Sequence, residues 1–303
     1  MTTLPLLSMR PLERARTYAS FVRFEHTLFS LPLVLAGIFS APGKPMSAVR
    51  WLLVVLAAAS ARTAAMAFNR IVDRQLDALN PRTRSRELPA GRMRVAEGWS
   101  LFIGGIVVYA FSCAELGRWF LEVSPIPLFV FIGYPYLKRF TPLCHFGVGL
   151  ALALAPLAGY AAAHPDLGHA ATAWWLAGFA LAWVAGFDII YATLDEDFDR
   201  LHRICSMVSW LGRPRALRLS AVLHAVAFAC LLGAAWSMAG TFVVTGPAWT
   251  VPAVIGTLTF SGVLLWLEQR WAEDVDLAFF KVNVIVGFSV LAMVLTARTA
   301  TGW

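Results

Sequence analysis

The chain has 303 residues, 59% of them hydrophobic and only 14% charged, with a formal net charge of +7. A soluble domain carries about 25% charged residues and 45–50% apolar ones, so an ordinary globular protein is excluded and lipid is the solvent for much of the chain. The cysteines, Cys113, Cys144, Cys205 and Cys230, form no CxxC pair and lie in or beside apolar runs, which reads them as packing residues rather than disulfides or zinc ligands.

Arg10, Arg14 and Arg16 precede the first apolar run, which begins near Phe21. That run continues too long for the apolar stretch of a cleavable signal peptide, so it reads as an uncleaved first span. A helix needs roughly 20 apolar residues to cross a bilayer. Such segments recur at about 21–41, 48–69, 97–116, 119–137, 142–163, 172–194, 216–238, 243–266 and 277–299, with a short break at Leu116-Gly117-Arg118. The expected fold is all-α: a polytopic bundle of nine transmembrane helices forming a single domain over 1–303.

Basic residues alternate between the loops. Arg10, Arg14, Arg16 and Arg23 precede the first span, and Arg70, Arg74, Arg82, Arg84, Arg86, Arg92 and Arg94 follow the second. Lys138 and Arg139 follow the fourth, Arg200, Arg203, Arg213, Arg215 and Arg218 the sixth, and Arg270 the eighth. The opposite side holds Lys44, Arg50, Arg118 and Arg298. The excess of Lys and Arg inside predicts a cytoplasmic N-terminus and accounts for the basic balance without nucleic acid. Segments 70–96 and 195–215 are expected as the long cytoplasmic loops, and long loops are often functional.

Both of those segments open on carboxylates. Asn69, Asp73 and Asp77 are spaced i, i+4, i+8 and share one helix face, with Arg62 almost two turns upstream on the same face. An ionisable residue inside an apolar span reads as functional by default. At the second segment, Asp188, Asp195 and Asp199 share a face if the helix runs on, whereas Asp197 points the other way and Glu196 to the side. Hard carboxylate oxygens suit Mg²⁺, which keeps waters and completes its shell with substrate phosphates. Two acid clusters on one side of the membrane would thus serve a metal-bridged diphosphate, with nearby cations on its remaining oxygens. The competing reading, an ion-coupled transporter, puts acids near the bilayer midplane in broken helices, not at helix ends beside arginines.

These residues resemble the UbiA superfamily of intramembrane prenyltransferases. Its Asn-x-x-x-Asp-x-x-x-Asp motif is matched by Asn69, Asp73 and Asp77, its Asp-rich second motif by Asp195 to Asp199 with Asp188 upstream, and its upstream Arg by Arg62. The segment Asn-Pro-x-Thr-x-x-Arg-x-Leu-Pro-x-Gly is matched by Asn80, Pro81, Thr83, Arg86, Leu88, Pro89 and Gly91, and Tyr-x-x-x-Lys by Tyr134 and Lys138. Phe24 to Phe29, Arg86 to Gly91 and Gly186 to Tyr191 look like the branch that includes 4-hydroxybenzoate polyprenyltransferases and menaquinone-type enzymes acting through futalosine. One departure is Arg70, where many members place Asp directly after the Asn.

The resemblance implies a nine-helix enzyme with a cytoplasmic active site, transferring a polyprenyl group from polyprenyl diphosphate to an aromatic acid. Asn69, Asp73, Asp77, Asp188, Asp195 and Asp199 would hold Mg²⁺, and Arg62, Arg86, Lys138 and Arg139 the diphosphate. Arg23 would meet the aromatic carboxylate, with Tyr134 and Tyr191 beside the substrate. The acceptor is expected to be 4-hydroxybenzoate or 1,4-dihydroxy-6-naphthoate in an inner-membrane quinone pathway, the alternatives on the same fold being a haem, a chlorophyll precursor or an ether lipid. His26 and His145 receive no catalytic role, and Glu268, Glu273, Asp274 and Asp276 are expected on a solvated cytoplasmic loop.

Overall fold

A computed structural model describes residues 11–23, 27–43, 46–165, 167–244, 246–272 and 281–299. Arg10, Glu25, His26, Lys44, Glu273, Asp274 and Asp276 therefore lie outside the described residues. Within them the secondary structure is helical, without a strand. Among the described residues seven helical segments are long and apolar enough to cross a membrane, Arg118–Leu137 counting as one, and two shorter apolar helices, Ser30–Ser40 and Asn283–Arg298, fall where the first and last spans are expected. The chain divides into two compact units, Met1–Thr27 with Leu52–Tyr136, and Leu28–Trp51 with Leu137–Trp303.

In the first unit, α1 (Pro11–Phe21) precedes most of α3 (Ala48–Leu79), then α4 (Val95–Leu116), α5 (Arg118–Val123) and α6 (Pro125–Leu137). The alanine-rich middle of α3 favours helix. At 1.5 Å per residue its 32 residues extend about 48 Å, longer than the ~30 Å hydrocarbon layer, so its polar end projects beyond the apolar stretch. Gly105 of α4 sits so close to α3 that an added Cβ would meet the Ser60 carbonyl oxygen at 2.9 Å. Phe21, Val22, Ala67 and Met93 form the buried cluster that seats α1. Gly117, at φ 138°, makes the expected break after Leu116.

The second unit contains α2 (Thr27–Ser40), α7 (Cys144–Ala163), α8 (Ala171–Ala192), the short α9 (Glu196–Leu201) and α10 (Met207–Leu211), α11 (Arg213–Phe242), α12 (Thr250–Arg270) and α13 (Asn283–Thr299). Its core centres on α8, where Trp183 stacks on Phe179 at 5.2 Å and packs edge-on to Phe187. Small residues permit close backbone approach between membrane helices. A Cβ on Gly37 of α2 would overlap the Pro156 carbonyl of α7, and one on Gly159 of α7 would overlap the Val34 carbonyl of α2. Arg50 Nε donates to the Ala162 carbonyl at 2.6 Å, a cation placed on the negative end of α7.

Several expectations change. Phe21 belongs to α1, not to the first apolar span, because it is fully buried in the α1 cluster. The segment 70–96 is not all loop, since α3 continues to Leu79, and much of 195–215 is helical in α9 and α10. Glu268 is not solvated. It is 1% exposed in the last turns of α12, with Oε2 3.5 Å from His224 Nε2 of α11. Gly186 of α8 makes room for that imidazole, since a Cβ there would lie 2.5 Å from His224 Cδ2.

Candidate active site

The end of α3 brings together the first group of expected residues. Asn69 Nδ2 donates to Asp73 Oδ2 at 3.2 Å. Asp77 is buried, and its Oδ1 accepts a 2.7 Å charge-assisted bond from Arg86 Nη1. Asp77 Oδ2 is also buried and has no hydrogen-bond partner among the described residues.

The chain beyond α3 is shaped to deliver Arg86. Asn80 Oδ1 accepts from the Arg82 amide at 2.9 Å, a local turn of the kind Asn side chains support. Thr83 Oγ1 donates to the Asp77 carbonyl at 3.1 Å, satisfying a carbonyl that the helix end leaves open. Gly91 takes the left-handed conformation at φ 68°, and the Arg92 and Met93 amides both donate to the Glu87 carbonyl. Much of the Asn-Pro-x-Thr-x-x-Arg segment is thus a cap that aims one guanidinium.

Two other expected residues meet beside α1. Arg62 Nη2 donates to the Arg23 carbonyl at 3.1 Å. Arg23 is half-buried and left-handed, at φ 48°. Tyr18 of α1 donates to Glu97 Oε1 of α4 at 2.9 Å, and that bond to a carboxylate pushes the phenol pKa up. Tyr134 is half-buried in α6, next to Pro135.

In the second unit, α8 does not continue as a regular helix through the acids. It ends at Ala192, and a 3₁₀ turn over Thr193–Asp195 leads into α9. A 3₁₀ turn advances each residue about 20° further than an α-helix, so three residues shift the register by roughly 60°. The expected i, i+7, i+11 face from Asp188 is therefore corrected: these acids do not share one helical register. Asp199 is buried, Asp195 half-buried and Asp197 exposed, while Glu196 pairs with Arg200 at 2.9 Å.

Asp188 has a partner that spacing does not suggest. Met207 N–H donates to His145 Nε2 at 3.2 Å, which leaves the ring proton on Nδ1, donated to Asp188 Oδ2 at 2.7 Å. Met207 opens α10, so its amide is one of the donors a helix start leaves free. Ser206 caps that helix by accepting from the Ser209 amide. The charges acting on Asp199 include Asp195 and Lys138. Lys138 accepts the Cys205 amide on its backbone carbonyl at 2.8 Å. Arg139 is exposed, and Tyr191 packs with Ile190, Leu217 and Ala272.

Among the described residues no group of three or more His, Cys, Asp or Glu could hold a metal by itself. The oxygen-rich donors fit Mg²⁺ nonetheless, because that ion takes one or two carboxylates and draws other ligands from water and phosphate. The buried Asp77 Oδ2, without a hydrogen-bond partner among the described residues, is an atom that a cation would satisfy.

The UbiA prenyltransferase family matches residues 30–285 of this sequence. The chain belongs to that family. A 4-hydroxybenzoate octaprenyltransferase of Shewanella amazonensis is 30% identical over 207 residues, covering 68% of this chain and 70% of that protein. One of the same name from Dechloromonas aromatica is 27% identical over 298 residues, 96% of each chain. The solved apo UbiA homologue from Aeropyrum pernix K1 is 32% identical at a TM-score of 0.77, covering 89% of this chain and 97% of that one. An Archaeoglobus fulgidus homologue, solved with GPP and Mg²⁺, shares the fold at 18% identity and a TM-score of 0.64, covering 91% and 99%. This UbiA member is therefore a multi-pass membrane enzyme and a prenyltransferase. Sequence reasoning did not foresee that His145 pairs with Asp188, because its only signal is a histidine at the start of an apolar segment.

Proposed function

We propose that this enzyme transfers a polyprenyl group from polyprenyl diphosphate to an aromatic acid, 4-hydroxybenzoate or 1,4-dihydroxy-6-naphthoate, in quinone biosynthesis. The polar end of α3 carries this reading: an amide, two carboxylates and a guanidinium lie together there, with a buried oxygen that accepts no hydrogen bond among the described residues. The names of the curated relatives support the acceptor class. We further take the chain as one catalytic domain with nine spans and a cytoplasmic N-terminus in the inner membrane, the active site facing the cytoplasm. The alternation of basic segments supports that topology.

Asn69, Asp73, Asp77, Asp188, Asp195 and Asp199 would hold Mg²⁺ on the diphosphate. The bound metal supplies Lewis acidity to the leaving diphosphate. Arg62, Arg86, Lys138 and Arg139 stabilise the charge that grows on the phosphate oxygens as the allylic C–O bond breaks. The apolar helix faces receive the prenyl chain and keep water from the carbocation. Arg23 receives the aromatic carboxylate, with Tyr134 and Tyr191 beside the ring. The ring attacks the cation carbon and then loses a proton.

The test is prenyl transfer by purified protein in detergent, with Mg²⁺, a radiolabelled polyprenyl diphosphate and each aromatic acid in turn. Product that disappears in Asp73→Ala, in Asp195→Ala and with EDTA supports the reading and identifies the acceptor. No product from either acid, despite diphosphate binding that both substitutions weaken, moves the acceptor to another class. Equal diphosphate binding by wild type and both variants removes the acids from the mechanism.

A further inference from the structure

Arg70 directly follows Asn69 in α3 and is 4% exposed. On α3 it lies seven residues before Asp77, two turns back on nearly the same azimuth. Burying a guanidinium is costly without compensation. Its Nε donates to the Phe21 carbonyl, 3.4 Å away, and its Nη1 is buried with no hydrogen-bond partner among the described residues. Asp77 and Glu87 are the anions acting on it, opposed by Arg86 and Arg23. Arg70 therefore stands where the charges of the α3 acid face meet the end of α1.

The carbonyl it bonds is that of the last residue of α1, in the turn where the helix leaves its own carbonyls open. Two residues on, Arg23 is held left-handed at φ 48°, a conformation unfavourable for an L-residue that persists where its surroundings enforce it. Its own carbonyl accepts from Arg62 Nη2 at 3.1 Å, and its amide donates to the Ser20 carbonyl at 3.0 Å. Two arginines of one helix thus take the carbonyls of Phe21 and Arg23, on either side of Val22. The seat is reinforced by Ser20, whose hydroxyl donates to Glu87 Oε1 at 2.6 Å.

We infer that Arg70 is a positioning residue for the acceptor: it pins the end of α1 to α3 and so sets the Arg23 side chain that receives the aromatic carboxylate. The inference rests on the proposed role of Arg23. It makes Arg70 a determinant of acceptor binding. A lysine keeps the charge but replaces the planar fork of donors with one compact ammonium, so Arg70→Lys is the informative change.

Two measurements on full-length protein in detergent separate the inference from the reading beneath it. Hydrogen exchange of the 18–23 segment in Arg70→Lys should rise at least severalfold, with exchange along α4 unchanged. Unchanged exchange at 18–23 overturns the positioning role whatever the acceptor, and a rise throughout the protein overturns it as a general loss of structure. In steady-state assays KM for the aromatic acid should rise about tenfold, with kcat and KM for the diphosphate within about twofold, a change equivalent to roughly 1.4 kcal/mol. In an Arg23→Ala background Arg70→Lys should add nothing to that KM, and additive effects would overturn the inference. If exchange rises but neither Arg70→Lys nor Arg23→Ala moves the aromatic KM, the clamp stands and the role given to Arg23 fails. Should Arg70→Lys not fold, Arg70→Gln, which retains a planar donor, is read by the same two criteria.

Discussion

His145 donates from Nδ1 to Asp188 Oδ2 at 2.7 Å while its Nε2 accepts the Met207 amide at 3.2 Å. One buried ring thereby joins the starts of α7 and α10 to a carboxylate of α8. Residues that orient a ligand in this way typically contribute 10–100-fold to metal affinity or activity. His145→Ala should accordingly raise the Mg²⁺ concentration for half-maximal prenyl transfer by about that factor. His145→Asn, whose amide can replace the Nδ1 donor, should recover much of it. A Mg²⁺ titration of the alanine variant that superimposes on wild type would remove Asp188 from the metal site or His145 from its support.

The acids after α8 should not be equivalent. Asp199 is buried, whereas Asp197 is exposed on the same short helix. We expect Asp197→Asn to keep kcat within about twofold and Asp199→Asn to lose roughly 100-fold, the scale of a lost metal-site interaction. Equal losses in single-turnover assays would show that burial does not select the working acid.

The Arg86–Asp77 pair makes a prediction about stability. Arg86→Met strands a buried carboxylate, a change that costs about 1–3 kcal/mol or more when a partner is removed. Adding Asp77→Asn removes the charge that was stranded, so the double variant should melt above the single one while both remain inactive. A double variant melting below Arg86→Met would mean that the pair does not set local stability.

Packing between α2 and α7 can be tested away from the site. Gly37→Ala and Gly159→Ala each force a methyl into a facing carbonyl, and overpacking of this kind costs roughly 1–3 kcal/mol. Gly104→Ala meets nothing within 4 Å and should be neutral or stabilising. Thermal melting in one detergent compares all three. Equal melting temperatures would refute the close approach of these helices.

The sequence by itself determined the solvent and the chemistry. An apolar segment long enough to cross a bilayer is a local property, and so is a spacing of four along one helix, which is why the α3 acid face could be read from Asn69, Asp73 and Asp77 alone. The same periodicity misled after Asp188, because a 3₁₀ turn of three residues changed the register and no local pattern announced it. Tertiary structure alone decided the partners. His145 and Asp188 lie 43 residues apart, and Phe21 and Arg70 lie 49 apart. Glu268 reads as a solvated charge in its own loop and is buried only because α12 brings it against His224 of α11. Hydrogen bonds between distant segments depend on how helices dock, and docking follows from shape complementarity along whole faces, as where Gly37 and Gly159 admit facing carbonyls. The spacing of residues along the chain does not carry that information.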